Sequence, residues 1–200
     1  FHVDANVLDP RPDSEILVFE TLKIAKNLKG DPSIMEVGTG SGCLSISIAK
    51  NCPNTSSMLA IDISKKALEV CKKNIASHKL GSRIATLESN IFSELKNEKF
   101  DIIISNPPYI KTKDIKDLQD EVRNFEPRLA LDGGDDGLYF YRQIIDEAPK
   151  FLNKNGFLIF EIGFDQKDDL INLAGESNFE VVDTVQDLAQ NDRVVILRRV

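Results

Sequence analysis

The sequence is poor in the residues on which several common functional sites depend. Its 200 residues include two histidines, His2 and His78, which argues against a histidine-based metal site or a Ser-His-Asp triad. The three cysteines, Cys43, Cys52 and Cys71, are odd in number and lack C-x-x-C spacing. They indicate neither a disulfide framework nor a zinc site, and three reduced thiols are typical of a cytoplasmic protein. We therefore expect no bound metal and a cytoplasmic location.

Long apolar segments and an excess of positive charge are also missing. No apolar run is long enough to span a bilayer and no secretory signal pattern is present, so we expect no membrane partner. The net charge of −7 argues against a broad nucleic-acid-binding face, although a local basic strip is compatible with it. With 42% hydrophobic and 28% charged residues, the composition is that of one globular domain.

Short apolar runs alternate with amphipathic stretches along the chain. The predicted strands are 34–37, 58–61, 84–87, 100–105, 157–161, 179–185 and 193–197. The predicted helices are 13–28, 43–50, 65–77, 138–152 and 166–176. This alternation predicts an α/β fold, with a parallel sheet and helices on both faces. Only QDLAQND separates the last two strands, which predicts an antiparallel pair at one edge, and the irregular stretch 110–137 is predicted to be functional or disordered.

Three alternate glycines follow the first predicted strand in the segment MEVGTGSG. Gly38, Gly40 and Gly42 let the backbone turn sharply and approach a ligand, and the next helix presents free N–H groups at its start. The dinucleotide fingerprint G-x-G-x-x-G would need glycine where Cys43 stands, which weakens an NAD or FAD interpretation. The turn suits a nucleoside with an amino-acid tail; an ordinary tight turn is the alternative.

Polar residues also end the second and third predicted strands. At Asp62 a carboxylate can accept hydrogen bonds from both hydroxyls of a ribose, and its alternative role is to cap the helix that follows Ser64. Asn90 and Ile91 are placed to bond the edge of an adenine and to pack on its face, unless ESNIF is simply a solvated turn.

The fourth predicted strand runs into SNPPY. Prolines have no backbone N–H and fix φ, so they end the strand, and Pro107 restricts Asn106 to an extended conformation. An amide, a rigid turn and the ring of Tyr109 are thus held together at the end of a strand. A proline-terminated strand with a packed tyrosine is the purely structural alternative.

Together these motifs resemble a class I S-adenosylmethionine-dependent methyltransferase of the amino-methylating type. Four segments are similar to the HemK/PrmC family: PRPDSEILV at 10–18, NPPYI at 106–110, FEPRLALDGGDDGLYFYRQII at 125–145, and NDRVVILRR near the end. The similarity covers almost the whole chain. NPPY alone is shared with adenine and cytosine amino-methyltransferases, whereas the combination is specific.

The resemblance implies a fold, an activity and a partner. The fold is a Rossmann-like, seven-stranded, mostly parallel sheet with an antiparallel edge strand, formed by residues 31–200. The activity is methylation of the side-chain amide of the glutamine in the Gly-Gly-Gln motif of peptide chain release factors (glutamine N5), which converts S-adenosylmethionine into S-adenosylhomocysteine. The partner is a release factor, without direct nucleic-acid contact. Because the chain begins at Phe1, we expect residues 1–30 to be a lead-in helix that follows a missing N-terminal helical domain or linker.

The motifs and the resemblance assign overlapping sets of site residues. The residues assigned to the cofactor are Glu36, Gly38, Thr39, Gly40, Ser41, Gly42, Asp62, Asn90, Ile91 and Asn106. The residues assigned to catalysis, and also to substrate binding, are Asn106, Pro107, Pro108 and Tyr109. Arg11 and Glu126 are assigned to substrate binding as well. In the alternative interpretation, PRPDSE starts a helix capped by Asp13 or Ser14, and Glu126 orders the long loop.

The chemistry of the NPPY turn can be interpreted without reference to the family. An amide nitrogen is a poor nucleophile toward a sulfonium methyl, because its lone pair is delocalised. If the carbonyls of the Asn106 side chain and of the Pro107 backbone accept its two hydrogens, and Tyr109 stacks on its plane, the lone pair is aligned for in-line attack.

Two positions depart from the family pattern, and the sequence leaves three alternative functions. Asn90 stands where the family often has aspartate, and Asp9 where an apolar residue is frequent. A nucleic-acid adenine N6 methyltransferase would need a basic target surface or a recognition domain. A methyltransferase-like binding module is disfavoured by the intact motifs, and a nicotinamide oxidoreductase by Cys43.

Overall fold

The computed structural model describes residues 1–55 and 57–200, which form one seven-stranded sheet with helices on both faces. The strands are β1 (Ser33–Val37), β2 (Ser57–Asp62), β3 (Ile84–Glu88), β4 (Phe100–Ser105), β5 (Leu152–Glu161), β6 (Phe179–Gln186) and β7 (Asp192–Arg199). The helices are α1 (Glu15–Asn27), α2 (Cys43–Asn51), α3 (Lys65–Ser77), α4 (Asp120–Phe125), α5 (Tyr139–Glu147) and α6 (Lys167–Gly175). No helix in these two ranges is long and apolar enough to cross a membrane.

The strand order is β3-β2-β1-β4-β5-β7-β6. The first five strands of the chain are parallel to one another, whereas β7 runs antiparallel to both β5 and β6. The predicted mostly parallel sheet and the predicted antiparallel pair at one edge are therefore confirmed, with the reversed strand β7 one place in from the edge. The carboxyl ends of β1 and β4 meet where the strand order reverses, which is the usual ligand-binding position in such sheets.

Apolar side chains fill a core on each face of the sheet. Ile102 and Ile104 of β4 belong to the cluster beneath α1, α2 and α3, while Ile103 between them belongs to the cluster beneath α5 and α6. Successive side chains of a strand point to opposite faces, so a strand covered on both sides is continuously apolar. The helical cover predicted for both faces is confirmed.

The starts of two helices test the predicted caps. Ser64 caps α3, because its hydroxyl accepts a hydrogen bond from the Ala67 N–H at 3.2 Å. At α1 the capping prediction is wrong for both candidates. A 3-10 turn over Pro12–Ser14 precedes the helix, and Ser14 itself has helical φ and ψ, so neither Asp13 nor Ser14 makes a capping bond.

The structure differs from the predicted boundaries in two places. The helix predicted over 138–152 ends at Glu147, because Pro149 follows it in a 3-10 turn, and β5 begins at Leu152 instead of residue 157. Asparagine, lysine and glycine hide the start of that strand in the sequence, and its pairing with β4 shifts register there. The irregular stretch 110–137 is folded: it contains α4 and 3-10 turns over Thr112–Asp117 and Arg128–Ala130.

Candidate active site

The carboxyl ends of the central strands surround a cavity of about 220 Å³. The N-terminal stretch before α1 and the segment that contains Pro127 and Leu129 close it from the sides. Twelve predicted site residues line it: Arg11, Glu36, Gly38, Thr39, Gly40, Ser41, Asp62, Asn90, Ile91, Asn106, Pro107 and Pro108. Gly42, Tyr109 and Glu126 were predicted as site residues, but they lie behind or beside this lining.

The glycine turn after β1 is bonded to the end of β2. The N–H groups of Gly38 and Thr39 both donate to the Ile61 carbonyl at 2.9 Å. Gly42 has φ +80°, and a Cβ there would lie 2.7 Å from the Cys71 sulfur. Gly42 therefore lets α2 start against α3, which shapes the turn without contact with the cavity.

Asp62 joins the glycine turn to the start of α3. One carboxylate oxygen accepts the Gly40 N–H at 2.8 Å and the other accepts the Ser64 N–H at 2.8 Å. Burial raises the pKa of Asp62, while the two backbone bonds lower it. The bond to Ser64 agrees with the alternative role near the helix start. Each carboxylate oxygen has a further lone pair, so ribose hydroxyls can bind as well.

Glu36 is a buried carboxylate in the wall of the cavity. One of its oxygens accepts hydrogen bonds from the Thr39 hydroxyl at 2.8 Å, the Ser45 N–H at 3.0 Å and the Ser45 hydroxyl. Burial raises its pKa to about 7, although those hydrogen bonds lower it. Glu36 thus ties β1 to the glycine turn and to α2.

The turn after β3 is held by hydrogen bonds and buries one of its two predicted site residues. The Ser89 hydroxyl donates to the Ile91 carbonyl at 2.8 Å and accepts the Glu94 N–H at 3.2 Å. Ile91 is buried with φ +51°, an uncommon conformation for a β-branched residue, whereas Asn90 is exposed. The solvated-turn alternative therefore does not describe Ile91, which lies in the cavity wall.

The NPPY turn is held from behind by Gln166. The side-chain N–H₂ of Gln166 donates to the carbonyls of Tyr109 and Gly137, both at 3.1 Å, and its oxygen accepts the Gly163 N–H at 3.0 Å. Tyr109 is half-buried against the apolar cluster on that face, and burial raises its pKa. Its ring therefore packs behind the turn, while Asn106 and both prolines line the cavity.

Comparison with known proteins places this geometry in a family. The sequence profile of the family described as "Methyltransferase small domain" matches residues 13–125. The release factor glutamine methyltransferase of Agrobacterium fabrum (strain C58) is 45% identical over 195 residues, which cover 96% of this chain and 67% of that protein. The chain belongs to the release factor glutamine methyltransferase family. It spans 56% of the release factor glutamine methyltransferase of Fusobacterium nucleatum and 70% of that of Thermodesulfovibrio yellowstonii.

Solved structures agree with this family and with the fold. The release-factor-specific protein-(glutamine-N5) methyltransferase of Alicyclobacillus acidocaldarius is 30% identical, with a TM-score of 0.58, and the match covers 100% of this chain and 99% of that one. The N-methyltransferase NodS of Bradyrhizobium japonicum, solved with S-adenosyl-L-homocysteine, has a TM-score of 0.62 at 18% identity and covers 96% and 90% of the two chains. The second likeness concerns the fold alone, and both support a class I methyltransferase fold.

Two predicted substrate residues of this methyltransferase meet at the cavity mouth. Arg11 forms an ion pair with Glu126, which joins the N-terminal stretch to the segment after β4. Arg11 lines the cavity, while Glu126 is largely buried behind it. Glu126 therefore ties the long segment to the N-terminal stretch, and its assignment to substrate binding stays a prediction.

Sequence reasoning missed four residues around the turn of this methyltransferase: Ser14 as a partner of Asn106, Glu161, Gln166 and Arg193. The Asn106 side-chain nitrogen donates to the Ser14 hydroxyl at 3.3 Å. Glu161 is the last residue of the apolar strand β5, as Asp62 is of β2, and Glu36 is the last residue but one of β1. A carboxylate at the end of an apolar run is the signal that could have found Glu161. The contacts of Ser14 with Asn106, of Gln166 with Tyr109 and of Arg193 with Asp13 are long-range and leave no local signal.

Proposed function

We propose that this chain transfers a methyl group from S-adenosylmethionine to the side-chain amide nitrogen of the glutamine in the Gly-Gly-Gln motif of a peptide chain release factor. The observation that carries the proposal is one cavity that contains both Asp62 with the glycine turn and Asn106 with Pro107. A nucleoside site and an amide-gripping turn at one cavity are what methylation of an amide requires. Membership of the release factor glutamine methyltransferase family supports the same substrate.

The cofactor fits the donor groups on the cavity wall. Asp62 would accept the ribose hydroxyls, because each of its oxygens takes only one backbone hydrogen bond. Ile91 would pack on the base and Asn90 would bond its edge. The turn at Gly38 and Gly40, with Thr39, Ser41 and Glu36 around it, would hold the amino-acid tail. When bound, S-adenosylmethionine supplies an electrophilic methyl group on a sulfonium and leaves as S-adenosylhomocysteine.

Asn106 and Pro107 would perform the central task of orienting the glutamine amide. Their carbonyl oxygens would accept its two N–H hydrogens and direct the nitrogen lone pair at the methyl carbon. As the nitrogen–carbon bond forms and the carbon–sulfur bond breaks, these fixed acceptors stabilise the positive charge that grows on nitrogen. One N–H proton then leaves to solvent. Proximity and charge stabilisation do this work without a strong base.

The mouth of the cavity would receive the release factor in the cytoplasm. Arg11, held by Glu126, stands where a protein loop would enter, and Pro108 continues the wall beside it. Tyr109 would stack on the glutamine plane after its ring moves out of the packing behind the turn. The substrate is a protein loop, so we infer no direct nucleic-acid contact.

A transfer assay with labelled S-adenosylmethionine tests the proposal. The substrates are a purified release factor with Gly-Gly-Gln, the same protein with Gly-Gly-Glu, and duplex DNA. We expect label on the Gly-Gly-Gln protein alone, because only its side chain offers an amide to the turn. Label on DNA, equal label on both proteins, or no label on any substrate would contradict the proposal.

A further inference from the structure

We propose that Glu161 is a positioning residue that fixes the orientation of the Asn106 side-chain amide through Ser14. The inference rests on the proposed function, because it specifies which end of Asn106 faces the substrate. A side-chain amide has an acceptor end and a donor end, and a turn of the chain by itself does not select between them. Only the orientation with the oxygen toward the cavity can accept a hydrogen from a glutamine amide.

The sheet places Glu161 beside Asn106. Ser105 of β4 pairs in parallel with Phe160 of β5, and the next residues on the two strands are Asn106 and Glu161. Glu161 is 2% exposed, and Ser14 at the start of α1 is also buried. The Asn106 nitrogen donates to the Ser14 hydroxyl at 3.3 Å. Among the residues that the structure describes, one Glu161 oxygen has no hydrogen-bond partner, which leaves the carboxylate able to accept.

The chemistry of a carboxylate sets the direction of these hydrogen bonds. An ionised carboxylate can only accept, so the hydroxyl of Ser14 and the N–H₂ of Asn106 must present hydrogens to Glu161. Once the Ser14 proton points at Glu161, its lone pairs are free to accept from Asn106. The N–H₂ end of Asn106 is thereby held toward Ser14 and Glu161. Its carbonyl oxygen, at the other end of the same planar group, is left for the cavity that Asn106 lines.

The groups around Glu161 bear on its charge. Burial raises the pKa of Glu161, the neighbouring donor groups of Ser14 and Asn106 lower it, Arg193 of β7 also lowers it, and Asp13 raises it. The charge of the same carboxylate raises the pKa of Tyr109 and of Tyr141, and the Tyr141 hydroxyl donates to the Glu161 backbone carbonyl at 2.9 Å. Arg193 is therefore the positive group that favours the ionised form on which the orientation depends.

Glu161→Gln tests the proposal with almost no change in shape. The new amide can donate, so the Ser14 hydroxyl can reverse and Asn106 can turn its nitrogen to the cavity. We expect kcat for release factor methylation to fall by about tenfold or more, with KM for the release factor and Kd for S-adenosylmethionine within about twofold. Ser14→Ala should lower kcat in the same way. Glu20→Gln, at a buried carboxylate of α1 that is paired with Lys23, should retain the wild-type kcat.

The pH profile separates positioning from structural damage. Protonation gives Glu161 a donor, so in the wild type kcat should fall toward acid pH, with a midpoint above that of an ordinary glutamate. Glu161→Gln should have a low kcat that does not change over the same pH range. A wild-type kcat in Glu161→Gln, or an unchanged acidic limb, would overturn the proposal.

A second readout does not depend on turnover. In NMR spectra of the chain with S-adenosylhomocysteine, the Asn106 side-chain N–H₂ protons should exchange slowly, and at least about fivefold faster in Glu161→Gln and Ser14→Ala. Equal exchange in all three proteins would overturn the role of Glu161. Failure of the wild type to methylate the Gly-Gly-Gln protein would instead overturn the proposed function, so the two failures are distinguishable.

Discussion

At the scale of single residues, three buried carboxylates stand at or near the ends of strands around one cavity. Glu36, Asp62 and Glu161 each have a raised pKa because burial disfavours the charged form. Glu36 and Asp62 also accept hydrogen bonds from the turns beside them, which offsets part of that cost. In the proposed function, a cationic sulfonium cofactor would give this unfavourable negative charge a use.

The burial of the Glu36 carboxyl predicts that the stability of the folded chain depends on pH. The carboxyl's folded pKa of about 7 lies above the unfolded value of 4.5. Between these two pH values, the Glu36 carboxyl is therefore protonated in the folded chain and ionised in the unfolded chain. The stability from this group is complete below pH 4.5 and is lost as the pH rises through about 7. Without cofactor, the wild type should therefore lose roughly 3 kcal/mol of unfolding free energy relative to Glu36→Gln between pH 4 and pH 8.

Urea unfolding of both proteins at the two pH values measures that difference. Because the other titrating groups are the same in both chains, their contributions cancel in the comparison. A difference between wild type and Glu36→Gln that stays constant from pH 4 to pH 8 would show that Glu36 is not the buried proton-binding group.

Local sequence patterns reveal some residues of the site and not others. Asp62 and NPPY follow apolar runs directly, so the end of a strand marks them. Gln166 is distant in sequence from the Tyr109 carbonyl that it holds, and no pattern around it indicates that contact. Ser14 is, with Asp13, a cap candidate only in the alternative interpretation of PRPDSE, whereas the structure shows it in tertiary contact with Asn106.

At the scale of elements, the folded segment after β4 supports the NPPY turn. Ile110 and Asp132 form a β-bridge, which returns the chain to the turn. Gly133 then packs so closely that a Cβ there would lie 2.8 Å from both the Pro108 oxygen and the Tyr109 Cα. The position of the turn therefore depends on the absence of a side chain at Gly133.

Gly133→Ala should displace the turn without touching the cofactor residues. We expect kcat/KM for the release factor to fall by about tenfold or more, because small errors in the position of reacting groups are costly, while Kd for S-adenosylmethionine changes by less than about twofold. Steady-state kinetics and calorimetry measure the two effects. Gly81→Ala is the matched control, since a Cβ there meets nothing within 4 Å. Equal kinetics in both variants would contradict the supporting role of the segment.

At the scale of the whole molecule, the alternation of apolar runs and amphipathic stretches was enough to predict the sheet. It did not reveal the early start of β5, where polar residues and a register shift interrupt the pattern. It also left the stretch 110–137 undefined, because its short helices depend on packing against the turn. The division at residue 30 and the upstream helical domain stay predictions, although Leu17 of α1 shares a core cluster with Ile34 of β1.

The role of the NPPY turn in glutamine methylation can be measured by mass spectrometry, which maps the methyl group on a release factor after incubation with S-adenosylmethionine and either the wild type or Asn106→Ala. We expect the wild type to add one methyl group, on the glutamine of Gly-Gly-Gln, and Asn106→Ala to add it about 100-fold more slowly while still binding the cofactor. A methyl group at another residue, or an undiminished rate with Asn106→Ala, would contradict this expectation.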